Sequence, residues 1–430
     1  MASLLIKRCS VILTQDERRR VLKRSSIYIE DGVIAGVGKV ECEAETVIDG
    51  AGKMALPAFI NAHTHAAMTL LRGYADDLPL KQWLEQKIWP LERKLTEYHC
   101  YWGALLACIE MAKAGCSCFL DMYFYPEATA EAAVKVGLKA VISYGMFDFN
   151  DPSLTEQQLE GARRFLGKAS ELRMKGVEPA LGPHAPYTCS DRLLMEAAEL
   201  ARRNRVLLHI HLAETVEEVD EFKRRYGRTE IEHLDRLGVL GPDVVAAHCV
   251  HLSRRDVRLL ARRGVKVVHC PVSNLKLGSG IAPVTELLKA KVTVALGTDG
   301  AASNNSLSML GAIKLAALLQ KALYRDPSAI SAQQVLDMAT LGGALSLNLR
   351  SGKLAEGYRG DVVLLDLNRP SYTPLFSPTS HVVYASEGTE AYTLVVDGRV
   401  IVSRGKVVSI DERSVIREAS RAARDLVARR

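Results

Sequence analysis

Short apolar runs rich in β-branched residues alternate with helical patterns through the middle of the chain. Between about residues 54 and 300 there are eight such runs, separated by stretches whose apolar residues recur at helical spacing. The runs are Met54–His65, Cys116–Phe124, Lys139–Asp148, Glu178–Pro186, Arg205–Glu214, Val244–His251, Val265–Asn274 and Thr293–Gly300. The helical patterns include Pro79–Ala114, Ser190–Asn204, Ser253–Arg263 and Ser306–Leu323. Eight consecutive strand and helix units predict an α/β fold, a closed parallel (β/α)8 barrel of the TIM type over residues 55–350.

A doubly wound open sheet would show the same alternation of strands and helices. That fold is favoured when a Gly-x-Gly-x-x-Gly turn follows the first strand, or when a Gly-Lys-Ser/Thr phosphate loop occurs. The sequence has neither motif, so the closed barrel is the better interpretation.

The two ends of the chain show hairpin patterns instead of strand and helix units. Short alternating runs there are separated by Asp-Gly turns at 31–32, 49–50 and 397–398. Neither end is long enough for a comfortable sheet domain of its own. We therefore predict one composite β-sandwich domain formed by residues 1–54 and 351–430, with a terminal helix in the second part.

Composition and charge exclude several classes of protein. Hydrophobic residues make up 48% and charged residues 25% of the 430 positions, as in ordinary folded proteins. No stretch approaches the ~20 apolar residues of a membrane span, and Lys7 and Arg8 interrupt the N-terminal apolar run too early for a signal peptide. The nine cysteines include no Cys-x-x-Cys pair, which argues against a disulfide framework. We expect a cytoplasmic protein.

The net charge of +6 is modest and is concentrated near the C-terminus. Residues 412–430 hold six arginines against three carboxylates, and Arg413, Arg417, Arg421 and Arg424 have helical spacing. A solvated terminal helix explains this pattern more simply than a patch for nucleic acid or membrane. We expect neither of these partners, and the sequence leaves open whether the chain forms a homo-oligomer.

Side chains that can bind a metal stand at the ends of four predicted strands. His63 and His65 end the first strand, and residues two apart in a strand point to the same side. His211, His248 and Asp299 end the fifth, sixth and eighth strands. Because a barrel of this kind carries its active site at the C-terminal ends of its strands, the four endings together predict a metal site.

These strand ends resemble the amidohydrolase superfamily, in its mononuclear deaminase branch. The segments that carry the resemblance are Pro57–His65, His211–Glu214, Ala247–Cys249 and Gly297–Asn305. A closer resemblance, to the 5-methylthioadenosine/S-adenosylhomocysteine deaminases, rests on Met68–Gly73, Trp83, Trp89–Glu92, Asp121–Phe124, Gly182–Tyr187 and Ser273–Gly278. It extends over essentially the whole chain.

The resemblance implies one divalent ion per chain, held by His63, His65, His211 and Asp299. A second ion would need a bridging Lys or Glu at the end of strand 4, and residues 181–186 contain neither. Zn²⁺ is the expected ion, although this set of ligands also accepts Fe²⁺ or Mn²⁺.

The resemblance also assigns the catalytic roles. It makes Glu214 the proton shuttle, His248 the group that orients or deprotonates water, and Asp299 both a ligand and a catalytic residue. Each has a plainer alternative: Glu214 as a carboxylate at a helix N-terminus, His248 as a core histidine, and Asp299 as a turn residue.

For the substrate, the resemblance implies that Glu92 binds ribose hydroxyls, that His184 hydrogen-bonds the nucleoside and that Trp83 forms an apolar wall. Core packing for Trp83 and a solvated helix position for Glu92 are the alternatives. Tyr144 stands where the resemblance predicts an Arg for the carboxylate of S-adenosylhomocysteine. A small or uncharged 5′ substituent therefore becomes at least as plausible, unless Arg163 or Arg164 supplies the charge. We expect Tyr144 itself to contact the substrate, with packing behind strand 3 as the alternative.

The expected activity is the metal-dependent hydrolytic deamination of an adenine nucleoside to the inosine analogue and ammonia. The nucleoside is 5′-methylthioadenosine, S-adenosylhomocysteine, adenosine or 5′-deoxyadenosine. One alternative is a deaminase or hydrolase of another N-heterocycle, such as guanine, a pterin or a triazine; another is a scaffold without catalysis. Deaminases that use His-x-Glu with Pro-Cys-x-x-Cys are excluded, because the chain lacks this motif.

Overall fold

The computed structural model describes residues 2–388 and 391–429, which form two sheets surrounded by helices. The strands are β1 Ser3–Leu13, β2 Val21–Glu30, β3 Val33–Gly38, β4 Thr46–Asp49, β5 Lys53–Pro57, β6 Phe59–Thr64, β7 Cys116–Tyr123, β8 Lys139–Met146, β9 Val177–Pro183, β10 Leu207–Leu212, β11 Val244–His248, β12 Lys266–His269, β13 Val294–Leu296, β14 Val362–Asp366, β15 Ala391–Val396, β16 Arg399–Ser403 and β17 Lys406–Val407.

The helices follow the same order along the chain. They are α1 Leu80–Trp83, α2 Trp89–Glu92, α3 Glu97–Lys113, α4 Pro126–Val136, α5 Pro152–Gly167, α6 Ala169–Met174, α7 Asp191–Asn204, α8 Val216–Tyr226, α9 Glu230–Arg236, α10 Arg254–Arg263, α11 Pro271–Lys276, α12 Val284–Lys289, α13 Ala301–Asn304, α14 Met309–Tyr324, α15 Ala332–Asp337, α16 Gly343–Ser346, α17 Pro378–Ser380 and α18 Glu412–Ala428. Ala66–Leu71 and Pro370–Tyr372 are 3₁₀ turns, and Leu84–Ile88, Met338–Gly342 and His381–Ala385 are π-helical turns.

Strands β6 to β13 pair in parallel, each with the next along the chain. The last strand lies beside the first: the backbone amide of Asp299 donates to the carbonyl of His63 at 3.0 Å, and the side chain of Asn61 hydrogen-bonds Thr298. Gly297 allows this approach, since a Cβ atom there would lie 2.8 Å from the Cβ of His63. The predicted eight-stranded parallel barrel is confirmed.

Both ends of the chain share the second sheet. Its order is β17-β16-β15-β14-β5-β1-β2-β3, with β4 also paired to β1, and the two ends join where β5 pairs antiparallel with β14. Ile6, Ile27, Leu364 and Val395 belong to an apolar core formed by residues of both ends. The prediction of a β structure built from both termini is confirmed, and it is hydrogen-bonded as one mixed sheet.

Two sequence-based details differ from the structure. The run Met54–His65 divides between the sheets, because Ala58 turns away to hydrogen-bond Asp361 and only Phe59–Thr64 enters the barrel. Asp31-Gly32 and Asp397-Gly398 form two-residue hairpin turns with positive φ at both residues. The turn at 49–50 instead links β4 to β5, which both run parallel to β1, so it is not a hairpin.

The C-terminal helix α18 packs its apolar face on the protein through Val415, Ala419, Ala422 and Leu426, all of which are buried. The four helically spaced arginines lie on its exposed side. No helix in the described part of the chain has the length and apolar character needed to span a membrane.

A buried lysine ties the barrel to the second sheet. Lys139, the first residue of β8, pairs with Asp361 and lies 3.3 Å from Asp397. Asp397 also forms an ion pair with the guanidinium of Arg359, at 2.7 Å. Burial acts to lower the pKa of Lys139, but the two carboxylates outweigh it and the pKa is raised. The lysine is therefore held charged.

We expect Lys139→Met to lower the free energy of unfolding by about 3–5 kcal/mol, because it leaves the buried carboxylate of Asp361 without its cation, although Asp397 keeps Arg359. Urea denaturation measures the change. The control is Lys168→Met, which removes an exposed ion pair with Glu127 and should change stability by less than about 1 kcal/mol. Equal effects of the two substitutions would contradict a structural role for the buried pair.

Candidate metal and nucleoside site

Three histidines and an aspartate converge at the C-terminal end of the barrel. Oδ1 of Asp299 lies 3.3 Å from Nε2 of both His63 and His65, and Nε2 of His65 lies 3.3 Å from Nε2 of His211. His63 is fully buried, and its Nε2 has no hydrogen-bond partner among the described residues. A buried polar atom without a partner is unfavourable unless something binds it, so this donor set fits a divalent cation.

The other ring nitrogen of each histidine is held by the protein. Nδ1 of His65 contacts the carbonyl of Met122 at 2.5 Å, and Nδ1 of His211 contacts the carbonyl of His184 at 2.7 Å. In both rings Nδ1 is thus the donor, which leaves the lone pair of Nε2 facing the site. Burial lowers the pKa of His211 well below its usual value, so its imidazole is neutral, as a metal ligand must be.

His63 is held by a second histidine. Its Nδ1 lies 2.7 Å from Nε2 of His209, whose Nδ1 lies 3.2 Å from the hydroxyl of Ser143. Burial lowers the pKa of His63 to about 4 and that of His209 well below its usual value. We had assigned His209 no role from sequence; its position two residues before His211, on the same face of β10, is the signal that could have found it.

Asp299 is fixed as an anion. Its Oδ2 accepts hydrogen bonds from Ser273 at 2.6 Å and Ser303 at 2.8 Å, and its Oδ1 accepts one from the amide of Gly300 at 2.8 Å. Burial alone would raise its pKa, but the adjacent His63 and the other surrounding histidines hold the pKa well below its usual range.

Glu214 and His248 lie beside these ligands. Oε2 of Glu214 is 3.7 Å from Nε2 of His248, whose Nδ1 is 2.8 Å from the amide oxygen of Asn274. Burial raises the pKa of Glu214. The pKa of His248 is also raised, because Glu214 and Asp299 outweigh the effect of its burial. The arrangement places two titratable groups side by side next to the candidate metal-binding cluster.

Strained backbone directs several of these side chains. Ala213, His248 and Asp299 have φ values of 50°, 69° and 61°, in the left-handed region that residues other than glycine seldom adopt. Such strain is found where the surrounding structure imposes it, often at active sites.

A cavity of about 210 Å³ opens from the metal site toward the surface. Glu92, His184 and Trp83 all line it. Burial raises the pKa of Glu92 to about 7 and lowers that of His184 to about 3. Trp83 is buried, with its indole nitrogen donating to the carbonyl of Ala75 at 2.9 Å.

Trp83 and Glu92 lie on a helical segment that is interrupted before α3. The stretch Pro79–Ala114 was expected to be one helical pattern, but the chain forms α1, the π turn 84–88 and α2, then bends before α3. The π turn shifts the register of the side chains, and the segment lies over the cavity so that Trp83, Trp89 and Glu92 face it.

Tyr144 lies elsewhere. Its ring packs against Phe165 on α5, with ring centres 5.9 Å apart, and it is not among the residues that line the cavity. The expected contact of Tyr144 with substrate is therefore corrected: the side chain points out of the barrel. Arg163 and Arg164 are on the exposed surface of α5.

Three phenylalanines that the sequence analysis gave no role line the outer part of the cavity: Phe124, Phe147 and Phe149. Adjacent rings are 6.0 and 5.5 Å apart, and Phe149 meets Trp89 at 5.9 Å. Phe147 and Phe149 follow the end of β8, and Phe149 lies in a turn with φ of 48°, so strand alternation does not predict their direction. The signal that could have found them is their place after the C-terminal end of a barrel strand, where barrels of this kind carry their active sites.

An eight-stranded parallel barrel with histidines and an aspartate at the C-terminal ends of its strands is typical of barrel enzymes that bind a metal ion in the active site. The chain belongs to the amidohydrolase family, whose sequence profile matches residues 54–401.

The chain is similar to two deaminases over almost its full length. It is 47% identical to a 5′-deoxyadenosine deaminase of Methanothermobacter thermautotrophicus, covering 94% of this chain and 95% of that one. It is 43% identical to a 5-methylthioadenosine/S-adenosylhomocysteine deaminase of Pyrococcus furiosus, covering 91% and 94%. Among solved structures, an adenosine deaminase of Xanthomonas campestris with bound zinc matches with a TM-score of 0.95 at 32% identity, covering 100% and 99% of the two chains.

Proposed function

We propose that the protein hydrolytically deaminates an adenine nucleoside, releasing ammonia and the inosine analogue. The observation that carries the proposal is the placing of Glu214 and His248, 3.7 Å apart, between the metal-binding cluster and a cavity lined by Glu92 and aromatic rings. The deaminases to which the chain is similar support it.

The residues that would hold the metal are His63, His65, His211 and Asp299, and we propose a single ion, Zn²⁺, with Fe²⁺ or Mn²⁺ as alternatives. A divalent ion supplies Lewis acidity, which makes water a nucleophile near neutral pH.

The chain's own residues then handle the protons. Deamination requires one proton on the ring nitrogen beside the attacked carbon and one on the departing amine. Glu214, whose pKa burial raises, can take up a proton and pass it to the purine. His248, held by Asn274, is oriented to accept a hydrogen bond from, or take a proton from, the attacking water. Asp299 completes the site as a fixed anion.

A screen for ammonia release across adenine nucleosides, free purines, pterins and triazines tests the proposal. We expect activity with the nucleosides. Activity confined to a free base or a triazine would refute it and favour the alternative N-heterocycle reaction, and a protein without activity or metal would favour a scaffold.

Glu92 should bind the ribose. At a pH above the pKa of Glu92, which is about 7, we expect Glu92→Gln to lower kcat/KM for adenosine by about 10- to 100-fold, because a hydrogen bond to a charged group contributes about 1.5–3 kcal/mol. The matched control is a substrate: 2′,3′-dideoxyadenosine lacks the hydroxyls, so its kcat/KM should be nearly the same in both proteins. An equal loss for both nucleosides would exclude this role.

The outer cavity favours an uncharged 5′ group. A carboxylate brought against the phenylalanines would lose water without gaining a buried cation. Arg93 is the one lysine or arginine among the described residues that lines this cavity, and it is exposed, so an ion pair there should contribute only about 0–1 kcal/mol.

We therefore expect kcat/KM for 5′-methylthioadenosine and adenosine to exceed that for S-adenosylhomocysteine by about 10-fold or more. Phe149→Arg should reduce the difference in kcat/KM between these nucleosides. The control Phe376→Arg should leave the difference unchanged, because Phe376 is 89% exposed and is not among the cavity residues. A wild-type preference for S-adenosylhomocysteine would refute the proposal.

A further inference from the structure

Two glutamates lie behind Glu214, and neither lines the nucleoside cavity. Glu218 is in the first turn of α8, and Glu230 is the first residue of α9 and only 1% exposed. The chemistry described above does not use them.

Together they hold three successive backbone amides. Oε2 of Glu230 accepts the amide of Ala213 at 2.7 Å. Oε2 of Glu218 accepts the amide of Glu214 at 3.2 Å and that of Thr215 at 3.3 Å. The backbone of residues 213–215, which carries Glu214, is therefore held in place by hydrogen bonds to these two carboxyl groups.

Helix capping explains only one of these contacts. Glu218 forms a capping box with Thr215, as Glu232 does with Thr229 at the start of α9. Glu232, however, faces an arginine at the surface, at 2.9 Å. Glu230 does not cap its own helix but reaches back to the end of β10.

The pair has no counter-ion. The ionisable groups that face the two glutamates, besides each other, are Glu214, Asp256, Tyr187 and Cys249, and no ion pair joins either glutamate to a cation of the described residues. Burial raises the pKa of both, and the neighbouring carboxyl raises that of Glu218 further. Glu230 is buried and Glu218 is half-buried with a buried Oε1, and two such adjacent carboxyls without a cation cannot readily both be ionised.

The remaining oxygens point to a shared proton. Oε1 of Glu218 and Oε1 of Glu230 are both buried, and neither has a hydrogen-bond partner elsewhere in the described part of the chain. A proton on one carboxyl would satisfy both oxygens at once, since a protonated carboxyl donates and a carboxylate accepts.

The segment that they hold is strained. Ala213 has φ of 50°, and its carbonyl accepts the amides of Val250 and His251 at 2.9 and 3.0 Å. With its amide bound by Glu230, both polar backbone groups of Ala213 are fixed, and the turn sends Glu214 toward His248.

We propose that Glu218 and Glu230 are positioning residues for Glu214: they share one proton and fix the backbone of residues 213–215, so that Glu214 meets the purine. The proposal rests on the proposed function, because it assigns the pair to the proton shuttle of that reaction.

Glutamine substitutions distinguish the shared proton from simple packing. In Glu230→Gln the amide oxygen still accepts from Ala213 and the NH₂ group donates to Glu218, so we expect kcat within about 3-fold of wild type. Glu230→Leu removes the acceptor and should lower kcat by about 100-fold with little change in KM, since a misplacement of about 1 Å has that effect. The double variant Glu218→Gln/Glu230→Gln brings two NH₂ groups together and should also lose kcat.

The exposed Asp220, on the same helix as Glu218, provides the control. Asp220→Leu should keep the wild-type kcat, and metal content and circular dichroism verify that every variant is folded and loaded. Infrared spectroscopy gives a readout independent of turnover. Because the pKa values of Glu92 and Glu214 are also raised, the spectrum of Glu230→Gln is subtracted from that of the wild-type protein, and the difference should contain the band of one protonated carboxylic acid.

The outcomes separate the two proposals. If the wild-type protein releases no ammonia from any nucleoside, the proposed function fails, whatever the infrared spectrum shows. If the nucleoside is deaminated, the positioning proposal is overturned by an unchanged kcat in Glu230→Leu, by a Glu230→Gln variant as slow as Glu230→Leu, or by the absence of the infrared band. Should Glu230→Leu fail to fold, the double glutamine variant and the spectrum decide.

Discussion

The variant Glu214→Gln is expected to lose about 10³-fold or more of kcat for an adenine nucleoside while it still binds metal and substrate. Glutamine has nearly the same size as glutamate and can still accept the hydrogen bond from Ser279, whose hydroxyl lies 3.4 Å from Glu214. It cannot take up and release a proton near neutral pH. The substitution therefore weakens stabilisation of the transition state and leaves substrate binding in the ground state unchanged.

Three measurements on this variant separate chemistry from structure. Ammonia release gives kcat, elemental analysis gives the metal content, and calorimetry gives nucleoside affinity, which turnover no longer disturbs. Asp220→Asn, which removes a carboxylate from the exposed face of the neighbouring helix, should behave as wild type. Turnover within about 10-fold of wild type would assign Glu214 a structural role instead.

Removal of the metal is expected to abolish turnover, and one equivalent of Zn²⁺ should restore it. The buried cluster explains this, since an ion held by three imidazoles and one carboxylate would supply the Lewis acidity that makes water a nucleophile near neutral pH. His211→Ala should bind metal at least 10- to 100-fold more weakly and remain inactive when zinc is added.

Elemental analysis and a crystal structure verify the metal prediction. We expect about one ion per chain, with ring nitrogens at roughly 2.0–2.2 Å. His381→Ala, far along the chain in a π turn, is the matched histidine control and should keep full metal content. Two ions joined by a bridging side chain would contradict the single-ion proposal.

The barrel could be predicted from sequence because its strands are buried on both faces and therefore read as continuous apolar runs. The metal-binding residues could be predicted because they end those runs. Domain boundaries at 54/55 and 350/351, a cytoplasmic location and any oligomer stay predictions.

The direction of Tyr144 could not be read from the sequence. Alternate residues of a strand face opposite sides, so a displacement of one position reverses the assignment. The structure shows Ser143 inside the barrel, where it contacts His209, and Tyr144 is therefore outside. The break before α3 could not be predicted either, because the apolar spacing over residues 79–114 is compatible with one continuous helix. Packing against the barrel determines where the chain bends.

The junction between β5 and β14 has a consequence for synthesis on the ribosome. Leu56 pairs with Val363, so at about 5–20 residues per second β14 is made roughly 15–60 s after β5. During that interval one edge of β5 has no neighbour, and all eight barrel strands are translated before β14. Nascent chains should therefore expose an unpaired edge of β5 late in translation. This strand is then the place where chaperone binding or aggregation would begin.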